Sequence, residues 1–134
     1  MNPVTPEFKT SMTGELLVQL LLYTFDIQAA KPIIDTGNDL IAFKGRIVKG
    51  IQVKTTETSP PRRDSWNLPG KSTEYDILAL VGLSEEAHKF DNDKVYLLSR
   101  EEVGENRGAY IRKNLFDSLA TFELSDERLS ILFR

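Results

Sequence analysis

Residues 39 to 54 restrict the fold most strongly, because their pattern predicts a β-hairpin. The runs Asp39-Leu-Ile-Ala-Phe and Gly50-Ile-Gln-Val-Lys54 are rich in strand formers, and Lys44-Gly45-Arg46 between them suits a tight connection. A hairpin brings the start of its first strand beside the end of its second strand. The sequence therefore predicts that Asp39 lies close to Gln52 and Lys54.

The second strand of this hairpin alternates apolar and polar side chains. Ile51 and Val53 share one face, whereas Gln52 and Lys54 share the other. Burying an unpaired polar group costs roughly 1–3 kcal/mol, and burying a charge costs more. Two interpretations remain open at this point: the polar face is simply exposed to water, or it forms a functional site with Asp39.

The residues of the hairpin resemble the motif of a known nuclease superfamily. Asp39 followed by Gln52-x-Lys54 on the next strand is similar to the PD-(D/E)xK motif, in the variant in which Gln replaces the usual acidic residue. The surrounding letters, DTGNDLIA and IQVKTT, most resemble intron-associated homing endonucleases and uncharacterised prokaryotic families of that superfamily. The sequence departs from the motif at Asn38, where the motif has Pro, and at Gln52.

This resemblance implies an α/β fold with a restriction-endonuclease-like core, in which helices flank a central mixed sheet of four or five strands. It implies a Mg²⁺-dependent endonuclease that hydrolyses DNA in mobile-element, restriction or defence biology. Asp39 would be the principal metal ligand, with the Gln52 side-chain oxygen and the Val53 carbonyl as neutral supplements. Lys54 would stabilise the negative charge that develops on the scissile phosphate.

The neutral Gln52 leads to two further expectations. A site with one fewer negative charge should bind metal weakly, and Mn²⁺ could replace Mg²⁺ in vitro. The alternative function is an inactive module of the same fold that binds nucleic acid or a protein partner.

A helix is predicted from Met12 to about Phe25, with an apolar surface broad enough to be mostly buried. In the resembling families the first helix carries a glutamate that points at the metal site, and Glu15 matches that position, which would make it a catalytic residue. The alternative is that Glu15 is an acid favoured in the first turn by the helix dipole.

The basic residues are concentrated, although the chain has a net charge of −3. Residues 44 to 71 hold seven basic and two acidic side chains, and a local basic patch can attract phosphate on an acidic protein. This segment overlaps a long loop that is predicted over residues 57 to 73. We predict nucleic-acid contacts from Lys49, Arg62, Arg63, Trp66 and Lys71. The alternatives are that loops simply collect charge and that Trp66 pins the loop to the body.

The rest of the chain predicts one domain over residues 1–134, soluble and cytoplasmic, with no membrane partner. There are no cysteines, which excludes disulfides and thiolate metal sites. Residues 1 to 10 are predicted to be an irregular lead-in. Further strands are predicted at 27–34, at 75–83 beside the Gln52 strand and buried on both faces, and at 95–99. Helical segments are predicted at 110–119 and 126–133. Cleavage of both DNA strands would suggest a homodimer.

Overall fold

The computed structural model describes residues 4–34, 37–57, 65–69, 73–84, 93–105, 110–112 and 119–134. The helices are α1 Pro6–Thr24, α2 Arg100–Glu105 and α3 Asp126–Leu132, with a 3₁₀ turn at Ala120–Phe122. The strands are β1 Gln28–Ala30, β2 Leu40–Lys44, β3 Ile47–Glu57, β4 Ser65–Asn67, β5 Ile77–Leu83, β6 Lys94–Ser99 and β7 Tyr110–Arg112.

Five of these strands form one mixed sheet in the order β1-β2-β3-β5-β6. The pairs β1–β2, β2–β3 and β5–β6 are antiparallel, whereas β3 and β5 run parallel. Strands β4 and β7 form a separate antiparallel ribbon. The predicted α/β fold with a mixed sheet flanked by helices is therefore confirmed, and the predicted hairpin corresponds to β2 and β3.

Strand β5 is buried along its whole length, as its unbroken apolar run predicts. Its side chains alternate between two hydrophobic clusters, one on each face of the sheet. The first cluster lies under α1 and α3 and includes Leu17, Val18, Leu22, Ile51, Val53, Ile77, Ala79, Leu129 and Leu132. The second cluster covers the opposite face and consists of Trp66, Tyr75, Leu78, Leu80, Tyr96, Leu98, Val103 and Leu119.

Helix α1 begins earlier than the sequence pattern predicts. Thr5 is its N-cap, and the Thr5 side chain accepts a hydrogen bond of 3.1 Å from the backbone N–H of Phe8. Pro6 occupies the first turn, where its missing N–H costs nothing because that group has no helical partner anyway. The prediction of an irregular lead-in is therefore wrong for residues 6 to 10. Within the described ranges, no helix is both long and apolar enough to cross a bilayer.

Three other predicted elements can be compared with the structure. The strand predicted over 27–34 is only Gln28–Ala30, since Pro32 cannot extend the ladder. Residues 110–112 were predicted to be helical but pair with β4 as a strand, because tertiary pairing overrides local propensity. The last helix is confirmed with its predicted cap, Ser125, which accepts a hydrogen bond from the backbone N–H of Arg128, and it ends at Leu132.

A buried arginine ties α3 to the sheet and to α2. Arg128 donates from Nε to the carbonyl of Leu97 at 2.9 Å and from its guanidinium to the carboxylate of Glu102. Glu102 also accepts the backbone N–H of Ser99 at 2.7 Å. Burial by itself would raise the pKa of Glu102, but the hydrogen bonds from Ser99 and Arg128 outweigh it and lower that pKa.

Replacing Glu102 with glutamine is expected to lower the free energy of unfolding by about 2 kcal/mol at neutral pH, because the buried guanidinium loses its counter-charge. The folded pKa lies below the ordinary value of 4.5, so this contribution is complete above that pH and is lost as the pH falls through the folded pKa. Urea unfolding of both proteins should therefore differ at pH 7, and the difference should shrink as the pH falls through the folded pKa. A difference that stays the same down to the most acid pH at which both proteins fold would contradict this prediction.

Candidate active site

Strand β3 continues beyond the start of β2, so past Ile51 no described strand pairs with this edge of β3, which we call the open edge. The last residue pair between the two strands is Leu40 with Ile51. Asp39 lies at the next position. Its N–H donates to the carbonyl of Ile51, and its Oδ2 accepts the N–H of Val53, both at 2.8 Å. The carboxylate of Asp39 is thus held at the open edge of β3, beside the residue that separates Gln52 from Lys54.

The backbone of Val53 adds a second oxygen at this edge. The N–H and C=O of one strand residue point toward the same side of the strand. Because the N–H of Val53 donates to Asp39, the Val53 carbonyl faces the same open edge.

The side chains of Gln52 and Lys54 lie on the sheet face opposite α1. They are next to Leu78 and Leu80 of β5 in the parallel register, and both of those leucines belong to the second cluster. Gln52 and Lys54 are half-buried. Within the part of the chain that the structure describes, neither side chain forms a hydrogen bond or an ion pair. Both polar groups are therefore available to a ligand.

Glu15 lies on α1, which crosses β3 on the other face of the sheet. Its neighbour Gly14 packs directly against Thr55, whose side chain shares the face of Ile51 and Val53. The Oε2 atom of Glu15 is 3.7 Å from Nζ of Lys31. Glu15 thus belongs to the helix that packs on the sheet face opposite Gln52 and Lys54, and its catalytic role stays a prediction.

The predicted nucleic-acid residues have different outcomes. Arg62, Arg63 and Lys71 lie outside the described residues. Lys49 is described, but strand alternation puts it on the face of Ile51, opposite Gln52 and Lys54. It lines a cleft of about 480 Å³ that also includes Arg100 and Arg134.

Trp66 requires a correction. Its side chain is 1% exposed, its Nε1 donates to the carbonyl of Val81 at 2.9 Å, and its ring meets the ring of Tyr96 edge-on. A side chain this buried has no free face on which a base could stack. Trp66 instead anchors β4 to the sheet, which was the alternative interpretation.

A second aspartate, which the sequence analysis did not single out, mirrors Asp39 on the other edge of β3. The Oδ2 atom of Asp76 accepts the N–H of Gly50 at 2.8 Å, and the N–H of Asp76 donates to the carbonyl of Gly50 at 2.9 Å. The signal was present in the sequence, because Asp76-Ile-Leu-Ala repeats the pattern of Asp39-Leu-Ile-Ala. Each aspartate directly precedes a neighbour of β3.

A cleft of about 480 Å³ adjoins Asp39 through Asn38, and it is lined also by Glu74, Tyr75, Asp76 and Arg100. The guanidinium of Arg100 donates to the carbonyls of Thr73 and Tyr75 and stacks 4.8 Å above the Tyr75 ring. Burial raises the pKa of Tyr75 against the opposing effect of Arg100, so the phenol stays protonated at neutral pH. The cleft beside Asp39 is thus lined by one fixed positive charge, that of Arg100, and by the acidic residues Glu74 and Asp76.

Comparison with known proteins identifies the architecture. No family model and no curated protein sequence matches this chain. Among solved structures, it is similar to one described as "The structure of a bacterial homing endonuclease: I-Ssp6803I", with a TM-score of 0.60. The match covers 88% of this chain and 94% of that one, at 12% sequence identity. The chain shares the fold of that structure. At this identity the likeness shows the fold alone.

Within this fold, the described part of the open edge of β3 is poor in acidic side chains. Among the described residues, no three His, Asp or Glu side chains are grouped to hold a metal ion. The carboxylate of Asp39 and the carbonyl of Val53 lie at this edge, and Gln52, whose side chain ends in an amide, is the preceding residue of β3. These are oxygen ligands, which suit a hard divalent cation such as Mg²⁺.

Proposed function

We propose that this protein is a metal-dependent endonuclease that hydrolyses DNA phosphodiester bonds, with a Gln-x-Lys variant of the PD-(D/E)xK site. The hydrogen bond from the N–H of Val53 to Asp39 carries the proposal. It holds a carboxylate at the strand edge that the Val53 carbonyl faces, next to an amide and an ammonium that have no partner within the described residues. The likeness to a homing endonuclease supports a DNA substrate.

Asp39, Gln52 and Val53 would hold the cation. When bound, Mg²⁺ or Mn²⁺ supplies a nucleophilic water and relieves charge on the phosphate. One carboxylate among three oxygen ligands predicts weak binding, since two neutral ligands offset little of the cation's charge. Glu15 could add a second carboxylate only by exchanging its ion pair with Lys31.

Lys54 would act on the phosphate itself. Its ammonium is a compact point charge on a half-buried strand face, where water screens less than it does at an exposed surface. Charge develops on the non-bridging oxygens and on the leaving oxygen as the phosphodiester bond breaks. A fixed ammonium at that position stabilises the transition state more than the ground state.

The DNA backbone would follow the cleft beside Asp39. Arg100 is exposed at its rim, and we propose that it contacts phosphate together with the predicted residues Arg62, Arg63 and Lys71. The proposed setting is mobile-element, restriction or defence biology inside the cell.

Plasmid nicking tests this function. Supercoiled plasmid should be nicked by the wild-type protein with Mg²⁺ or Mn²⁺ and left intact with a chelator. Asp39→Asn should lower the rate roughly a hundredfold or more, because it removes the charge but keeps an oxygen for the Val53 N–H. Asp39→Ala is the poorer variant, since it also removes that hydrogen bond.

Two outcomes would contradict the proposal. Full nicking by Asp39→Asn would exclude the site. DNA binding by the wild type without nicking under either metal would favour the alternative, an inactive binding module of the same fold.

A further inference from the structure

The outer face of α1 carries large apolar side chains that none of the described elements covers. Four large side chains on it are more than half exposed: Phe8 at 53%, Leu16 at 53%, Leu20 at 58% and Tyr23 at 72%. Steps of three, four or eight residues keep these side chains on one side of a helix. The opposite side of α1 packs on the sheet through Gly14, Leu17, Val18 and Leu22. The helix therefore has two apolar faces, of which this domain buries one.

A surface helix of a soluble protein normally has a polar outer face. The sequence predicted that most of the apolar surface of α1 is buried. In a single copy, however, the outer face of α1 remains exposed. The four exposed side chains present about 450 Å² of apolar surface per copy. This reaches the range of the largest patches on typical monomers, which are often functional.

We infer that this outer face, made by Phe8, Leu16, Leu20 and Tyr23, is the interface with a second copy of this chain. Two copies of α1 would pack antiparallel about a twofold axis at Leu16. Leu16 is eight residues after Phe8 and seven before Tyr23. Antiparallel pairing therefore brings Leu16 opposite Leu16, and Phe8 and Lys9 of each copy level with Tyr23 of the other, where the Lys9 ammonium can lie against the Tyr23 ring. The face is self-complementary, as a twofold interface requires.

Size and charge favour a second copy over other occupants. Two such faces together bury about 900 Å² before their flanks are counted, close to the roughly 1,000 Å² that a biological interface needs. Helices that bind membrane surfaces carry several Lys or Arg residues, whereas the basic residues of α1 comprise Lys9 alone. This inference stands apart from the proposed nuclease function, although a dimer would supply the two sites that double-strand cleavage needs.

Sedimentation equilibrium over a wide protein concentration range tests the interface. The wild type should dimerise, and Leu16→Glu should raise the dimer dissociation constant roughly a hundredfold or more, because each copy would bury an unpaired carboxylate. The matched control is Ile131→Glu on α3, an exposed apolar helix residue away from α1, which should leave the constant unchanged. Circular dichroism should show that both variants stay folded.

Crosslinking locates the twofold axis, since the chain has no cysteines. Facing Cα atoms of two packed helices are roughly 4–5 Å apart, within reach of a disulfide. Leu16→Cys should therefore give a disulfide-linked dimer under mild oxidation, and Ile131→Cys should not. A wild type that is monomeric at every concentration would overturn the inference. So would a dimer that survives Leu16→Glu while the Leu16→Cys variant forms no crosslink.

Discussion

Replacing Lys54 with alanine is expected to lower plasmid nicking roughly a hundred- to a thousandfold, because the transition state loses its nearest fixed positive charge. Lys54 has no partner within the described residues. Its removal therefore leaves no buried polar group without a hydrogen bond, and the melting temperature should be nearly unchanged. Initial nicking rates with saturating Mn²⁺ measure the effect, and a gel shift measures DNA binding separately. We expect binding to fall far less than the rate.

Lys44→Ala is the matched control for this experiment. It removes the same charge from the exposed end of β2, away from the open edge at Asp39. It should leave the nicking rate within a few-fold of the wild type. Equal losses of nicking rate in the two variants would mean that Lys54 acts only through the overall electrostatic field of the protein. An unchanged nicking rate in Lys54→Ala would refute its proposed role.

Replacing Gly14 with alanine is expected to lower the free energy of unfolding by about 2–3 kcal/mol, measured by urea denaturation. Alanine in a helix is favoured over glycine by about 1 kcal/mol, so propensity alone predicts a gain. However, a Cβ at Gly14 would lie 1.8 Å from Oγ1 of Thr55 and 2.8 Å from its Cβ. Gly14 and Thr55 both lie in packed elements, so α1 would have to move away from β3 to make room for the methyl group. The cost of this overpacking is expected to exceed the gain in helix propensity.

Two further variants separate these two effects. Gly104→Ala places a methyl group in α2 where, among the described residues, no atom outside the helix's own backbone and the two chain neighbours lies within 4 Å, so it should be neutral or slightly stabilising. Thr55→Ala combined with Gly14→Ala removes the closest contact and should recover part of the loss, which a double-mutant cycle would show as coupling. Purely additive effects would mean that α1 approaches β3 less closely than described.

Much of the candidate site could be predicted because strand geometry is local. The period of two along β3 put Gln52 and Lys54 on one face, and the turn at Gly45 put Asp39 near them. The same rule places Lys49 on the opposite face, but the prediction grouped Lys49 with other basic residues by charge alone. Asp76 could also have been found from the repeated Asp-apolar-apolar-Ala pattern.

Other features could not be predicted because they depend on distant parts of the chain. Trp66 is buried because its indole meets the carbonyl of Val81, fifteen residues away. Residues 110–112 form a strand because they pair with β4, which is distant in the sequence. The hydrogen bond between Asp39 and Val53 depends on where β2 begins, and no residue near Asp39 fixes that boundary by its local propensity.

The sequence by itself determined the strand and helix periods, the hairpin, the buried β5 and the cap of the last helix, since these depend on residues within a few positions of each other. Only the tertiary structure decided which edge of β3 stays open, which side of α1 is left uncovered and which polar groups lack partners. Those properties depend on contacts between residues that are far apart in the sequence, because the burial of a group is determined by every helix, strand or loop that packs against it.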